Sequence, residues 1–144
     1  MTLVELLVVL GIIGLILAIS VPGLTGYAKR LRVKTAARQV LGLLSLARSL
    51  AISSHEDHAV IIDIERGELH VVNAVSGQPL EQVVRLPNSV ALEMQTGGQP
   101  SQESQVVFHP TGSLAGRTVA LILADHEDRH TITVSGVTGS ISLQ

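Results

Sequence analysis

The sequence predicts an α+β fold: one long N-terminal helix, transmembrane at first and amphipathic afterwards, packed on antiparallel β-sheets. Three observations lead there. Leu6 to Ala28 contains no charged residue. Apolar residues then recur at helical spacing as far as Ala51. Beyond that point short β-branched runs alternate with glycine, proline and aspartate turn signals.

The uncharged run of 23 residues would span about 34 Å as a helix, enough to cross the hydrocarbon core of a bilayer. Glu5 stands just before it. A carboxylate at the end of such a helix is costly in apolar surroundings unless it meets a cation or reaches headgroups. The nearest cation in sequence is the α-amine of Met1, and the residue-1 amine of a neighbouring copy would serve equally well. That points to assembly within a membrane. The plainer reading is a carboxylate favoured by the helix macrodipole and solvated by headgroups. No lysine or arginine precedes the run, and the run is longer than a secretory signal core, so a permanent membrane helix is expected. Gly11 and Gly14 would let a second helix approach closely, although their spacing falls short of G-x-x-x-G, and an incidental role stays open. Pro22 and Gly23 interrupt the run and predict a kink or local melting.

Helical periodicity then resumes. Ala36, Val40, Leu43, Leu44, Ala47, Leu50 and Ala51 fall on one stripe, with Lys34, Arg38, Gln39, Ser45 and Ser49 on the other face. This half should pack on a sheet and end near Ser53 and Ser54. Strands are expected at residues 59–64 and 69–75, joined as a hairpin by Glu65-Arg66-Gly67-Glu68, and then at 81–86 and 90–94. Residues 96–104 read as a polar, glycine-rich loop. Further strands are expected at 105–109, at 118–124 paired with 130–135, and at 140–143.

The formal net charge of −2 hides an asymmetry. Residues 1–50 carry Lys29, Arg30, Arg32, Lys34, Arg38 and Arg48 against Glu5 alone, whereas residues 51–144 carry four cations and eleven acids. An acidic globular part disfavours nucleic-acid binding. Tyr27 and Phe108 are the only aromatics, so the core must be aliphatic, and the lack of cysteine excludes disulfides and thiolate metal sites. The cluster Lys29, Arg30, Arg32 and Lys34 abuts the apolar run. It suits contact with anionic headgroups or with acidic patches of neighbouring subunits, or simply a solvated helix face. The stretches His55-Glu56-Asp57-His58 and His126-Glu127-Asp128-Arg129-His130 contain metal-ligating residue types, but both fall at turns or strand entries, and no metal site is expected. There is no cysteine nucleophile, G-x-S-x-G elbow, H-E-x-x-H or phosphate loop. No catalytic residue, cofactor or enzymatic activity is expected.

Met1-Thr2-Leu3-Val4-Glu5-Leu6-Leu7-Val8-Val9-Leu10 resembles the mature N-terminus of type IV pilins and type II secretion pseudopilins, with Pro22 at their usual helix break. Leu46-Ala47-Arg48-Ser49-Leu50-Ala51-Ile52 leading into Val60-Ile61-Ile62, Phe108-His109-Pro110-Thr111-Gly112, and Ile132-Thr133-Val134-Ser135-Gly136-Val137-Thr138-Gly139 resemble segments of the GspH/FimT family of minor pseudopilins and pilins. The chain departs from that pattern at Leu50, where glutamate is common.

The resemblance implies that a prepilin peptidase and methyltransferase removes a short basic leader and N-methylates residue 1, here Met1. It implies a salt bridge from Glu5 to the residue-1 amine of an adjacent subunit. It implies residues 1–28 as the transmembrane part of the helix, 29–54 as its amphipathic continuation, and 55–144 as a β-rich periplasmic domain on a single-pass inner-membrane anchor. This topology puts the basic cluster on the outer side, against the positive-inside rule, a conflict eased by loss of a basic leader. The partners implied are other pseudopilins in a filament tip, the inner-membrane assembly platform, membrane lipid and the secreted substrate of a type II secretion system. The alternative is a FimT-like minor type IV pilin in pilus biogenesis or DNA uptake. DNA-capturing members carry arginines in the final segment, where this chain has Ser140-Ile141-Ser142-Leu143.

Overall fold

The computed structural model describes residues 2–125 and 128–144, with the backbone alone at residues 20–30 and 81. The chain divides into two compact units, Met1–Leu31 and Arg32–Gln144. Helix α1, Leu3–Ser54, contributes to both. It stays helical through Pro22 and Gly23, so the local melting expected there does not occur. A proline nitrogen removes one hydrogen bond from a helix, and the turns on either side hold the rest.

In the first unit every large apolar side chain from Leu3 to Ile19 is exposed, from 47% at Ile13 to 80% at Leu3. Among the described residues no helical stretch is both long and apolar enough to cross a membrane. The apolar stretch with described side chains ends at Ile19, whereas the uncharged run of the sequence continues to Ala28.

In the second unit α1 has a sharply divided surface. Val33, Ala36, Ala37, Val40, Leu43, Leu44, Ala47 and Ala51 are buried, and Arg32, Lys34, Arg38, Gln39 and Ser49 are exposed. The helix closes at its C-terminus with the Ser53 and Ser54 hydroxyls donating to the Leu50 carbonyl at 3.2 and 2.7 Å. His55 follows in the left-handed conformation (φ 58°) that commonly ends a helix.

Among the described residues, nine strands form two antiparallel sheets. The four-stranded sheet has the order β3-β2-β1-β6, with β1 His58–Asp63, β2 Glu68–Asn73, β3 Pro79–Arg85 and β6 Gln105–Phe108. The five-stranded sheet has the order β5-β4-β7-β8-β9, with β4 Ala91–Thr96, β5 Gln99–Pro100, β7 Val119–Ala124, β8 Arg129–Val134 and β9 Ile141–Leu143. Hairpins join β1 to β2 and β7 to β8 in the expected places. The pairings β1–β6 and β4–β7 are long-range and bring distant strands together. The expected loop at 96–104 contains β5, whose Gln99 pairs with Thr96 across the tight turn at Gly97-Gly98. Inward residues of both sheets, including Val60, Ile62, Val71, Phe108, Leu121, Leu123 and Ile132, join the buried stripe of α1 in one core. That core is aliphatic around Phe108, which is fully buried.

Candidate functional site

The residues singled out at the N-terminus belong to the first unit. The Glu5 N–H donates to Thr2 Oγ1 at 3.3 Å, and the Thr2 N–H donates to Glu5 Oε2 at 3.3 Å. Leu6 N–H donates to the Thr2 carbonyl at 3.2 Å and opens the helix. This reciprocal pair is a capping box, in which threonine and glutamate three residues apart satisfy two otherwise unpaired helix donors. The Thr2-x-x-Glu5 spacing is the signal in the sequence that announces it, and a reading based on the carboxylate's charge alone passes over it. Glu5 is exposed and therefore presents its carboxylate to whatever surrounds the helix end. Met1, the other member of the expected ion pair, lies outside the described residues.

A methyl group at Gly11 or Gly14 would meet nothing within 4 Å, so both glycines lie open to an approaching helix. Of the basic cluster, Arg32 and Lys34 are exposed on either side of buried Val33. The side chains of Lys29 and Arg30 lie outside the described residues, as do those of Pro22 and Gly23.

In the second unit the helix end around Arg48, the turn at Gly112 and the glycine pair Gly136 and Gly139 meet at one place. Arg48 leaves the α1 surface half-buried, and its Nε donates to the Gly112 carbonyl at 3.0 Å. Its second guanidinium nitrogen donates to the Thr138 carbonyl, also at 3.0 Å. The planar guanidinium thus ties the helix to the turn after β6 and to the turn between β8 and β9. Those turns leave no room for side chains. A Cβ on Gly139, at φ +61°, would overlap the Gly112 carbonyl oxygen. A Cβ on Gly136 would lie 2.7 Å from the Gly116 carbonyl oxygen. The motifs therefore encode a junction of helix and two sheets, a role that sequence spacing alone does not disclose.

The residues of the first His-rich stretch are engaged in separate contacts. Asn73 Nδ2 donates to Glu56 Oε2 at 2.6 Å, His109 Nδ1 donates to Asp57 Oδ1 at 3.0 Å, and buried His58 donates from Nδ1 to the Glu56 carbonyl at 3.1 Å. These bonds fasten the passage from α1 into β1. Among the described residues no three metal-ligating groups converge. In the second stretch His126 and Glu127 lie outside the described residues, and Asp125 N–H donates to the Asp128 carbonyl at 2.9 Å in the β7–β8 turn.

A long helix with a free apolar half, its second half packed under two antiparallel sheets, defines an α+β protein of the pilin-like class. The profile described as "Type II transport protein GspH" matches residues 36–139, and the chain belongs to that family. No curated protein matches the sequence. Among solved structures, the fold is similar to the type IV minor pilin FimU of Pseudomonas aeruginosa, with TM-score 0.67 and 18% identity over 82% of this chain and 92% of that one. It is also similar to the minor pseudopilin EpsH of the type II secretion system of Vibrio cholerae, with TM-score 0.64 and 19% identity over 78% of this chain and 96% of that one. Family and fold together support a minor pseudopilin or pilin role.

Proposed function

We propose that the chain is a GspH-type minor pseudopilin that assembles with other pseudopilins, at or near the tip of the periplasmic filament of a type II secretion system. Residues 1–28 anchor it in the inner membrane before assembly, and the Arg32–Gln144 unit stands in the periplasm. The observation that carries this reading is the exposed apolar surface all around Leu3–Ile19. A helix apolar on every side is stable only inside lipid or among other helices. The second half, by contrast, finds its cover within its own domain.

The mechanism is mechanical. After a prepilin peptidase exposes the Met1 amine, the helix leaves the membrane through the assembly platform and enters a bundle of like helices. Hydrophobic packing supplies cohesion and is indifferent to axial sliding. Glu5 supplies the register, because its carboxylate is stable in the bundle only opposite a residue-1 amine of a neighbour. A buried pair of this kind adds little net stability yet makes every misaligned arrangement costly. In the monomer the Thr2 capping box satisfies Glu5. Lys29, Arg30, Arg32 and Lys34 contact headgroups before assembly or acidic neighbours after it. Pro22 and Gly23, where the helix lacks one backbone bond, let it adapt to the bundle.

Two experiments test the reading. Glu5→Ala and Glu5→Val should leave the periplasmic domain folded and membrane-associated but keep the chain out of filaments, as read by co-purification with the other pseudopilins. Normal incorporation of either variant refutes the role of Glu5. Deletion of the gene should abolish release of exported proteins while surface pili remain. Loss of pili with secretion intact would assign the chain to a pilus instead.

A further inference from the structure

The geometry points to a peptide-binding groove between the outer edge of β9 and the flank of α1, which takes an extended segment ending in a C-terminal carboxylate. Strand β9 is the last strand of the five-stranded sheet. Thr131 and Gln144 exchange main-chain bonds at 2.8 and 2.9 Å, and Ser135 N–H donates to the Ser140 carbonyl at 2.9 Å. Bonded and non-bonded pairs alternate along an antiparallel ladder. The pairs Ile132–Leu143 and Val134–Ile141 are therefore the non-bonded ones, and the main-chain groups of Ile141 and Leu143 turn away from β8. Among the described residues no further segment bridges to this edge. The N–H and C=O groups of Ile141 and Leu143 are thus left without a protein partner there.

Ile141 shares a groove of about 340 Å³ with Ser45, Arg48, Ser49 and Ile52 of α1. The volume lies in the range of ligand-binding clefts. An unpaired row of donors and acceptors is recognised by another strand, with main-chain bonds giving affinity and alternate side chains giving specificity. The helix wall supplies the charge complementarity. A helix serine often returns its hydroxyl to the carbonyl one turn back, as Ser54 does. Ser45 and Ser49 are exposed, and their hydroxyls make no bond among the described residues. Arg48 commits Nε and Nη2 to the Gly112 and Thr138 carbonyls, which leaves Nη1 as a further donor. It meets no carboxylate among the described residues. Two hydroxyls and a guanidinium beside an open strand edge suit a carboxylate. The direction of the strand agrees. A segment added antiparallel to β9 ends at Ile141, on the side of the Thr138 carbonyl that Arg48 holds. Its terminal carboxylate therefore falls at Arg48, and its alternate side chains fall on Ile52 and on the partly buried Ile141 and Leu143. A second copy fits poorly. Strand β9 has three residues, and pairing two such edges buries far less than the roughly 1,200 Å² of a stable dimer. The groove belongs to the Arg32–Gln144 unit and does not depend on the filament reading.

The test uses the full chain in detergent micelles and an acetylated hexapeptide of alternating threonine and valine, ending in valine with a free carboxylate. At saturating peptide, amide exchange at Ile141 and Leu143 should slow at least tenfold. The same peptide with an amidated C-terminus should bind at least tenfold more weakly. Arg48 itself holds two turns together, so the variant is placed on exposed Ser49 instead. Ser49→Glu sets a like charge beside the ligand carboxylate and should weaken binding more than tenfold without lowering the melting temperature. If Ser49→Glu fails to fold, exchange and the acid–amide comparison in the unaltered chain decide the matter. Exchange unchanged at both amides, equal affinity for acid and amide, or undiminished binding by a folded Ser49→Glu variant would overturn the proposal. So would a peptide-free dimer that Ser49→Glu dissolves, since the occupant would then be a second copy.

Discussion

Arg48 carries more of the second unit than its place on a helix surface suggests. Its two bonds to the Gly112 and Thr138 carbonyls join three parts of the chain that are far apart in sequence. Bonds from a charged donor are worth more than neutral ones, and truncation also strands the Gly112 carbonyl, whereas the exposed Thr138 carbonyl turns to water. Arg48→Ala should therefore cost about 1–3 kcal/mol, the lower part of that range reflecting solvent screening at this half-buried site. Arg48→Lys should recover little of it, because an ammonium does not reproduce the fork. Thermal unfolding of the two variants checks both statements. Gly139→Ala should be worse, at about 3 kcal/mol or more, since it adds backbone strain to a collision with the Gly112 carbonyl. A folded Gly139→Ala variant with unchanged melting temperature would show that the two turns are not in contact. Among single residues, Glu5 is visible in the sequence because an isolated charge beside an apolar run stands out. Arg48 is concealed there, because a cation on an amphipathic helix reads as a solvated one.

At the scale of elements, α1 changes character along its length. From Leu3 to Ile19 no face is covered, and from Val33 to Ala51 one stripe is fully buried. Removing a large side chain should therefore have opposite consequences in the two halves. Leu44→Ala, at a position with no exposure, should cost the domain about 2–5 kcal/mol through lost transfer energy and a residual cavity. Leu7→Ala should leave the melting of the domain unchanged and, on the filament reading, weaken assembly. The ends of the expected strands fall within about two residues of the observed ones, because β-branched runs between glycine and proline signals leave few alternatives. The strand β5 is not legible. Its two residues pair only because Gly97 and Gly98 fold the chain back on β4, and neither residue carries strand character. Nor is the division into two sheets, which depends on the β1–β6 and β4–β7 pairings between residues far apart in the chain. The continuity of α1 through Pro22 goes against local melting alone, since one lost hydrogen bond is small beside a helix of 52 residues and a kink leaves such a helix unbroken.

Over the whole molecule, charge is segregated along the sequence, with six of the ten cations in the first 50 residues and eleven of the twelve acids after them. Residues 51–144 should consequently ignore DNA. Binding of labelled duplex by the purified chain at about 50 mM salt should stay in the range of non-specific contact or weaker, and a tight, steeply salt-dependent association would favour the pilus alternative. The filament account depends on Glu5 of one subunit meeting the residue-1 amine of another. Zero-length carbodiimide cross-linking of assembled filaments, followed by mass spectrometry of the peptides, tests that pairing most directly. The account predicts a Glu5 peptide joined through its side chain to the N-terminal amine of a different subunit. A Glu5 carboxylate that is joined to its own Met1 alone, or left unlinked in filaments that contain the chain, would contradict it.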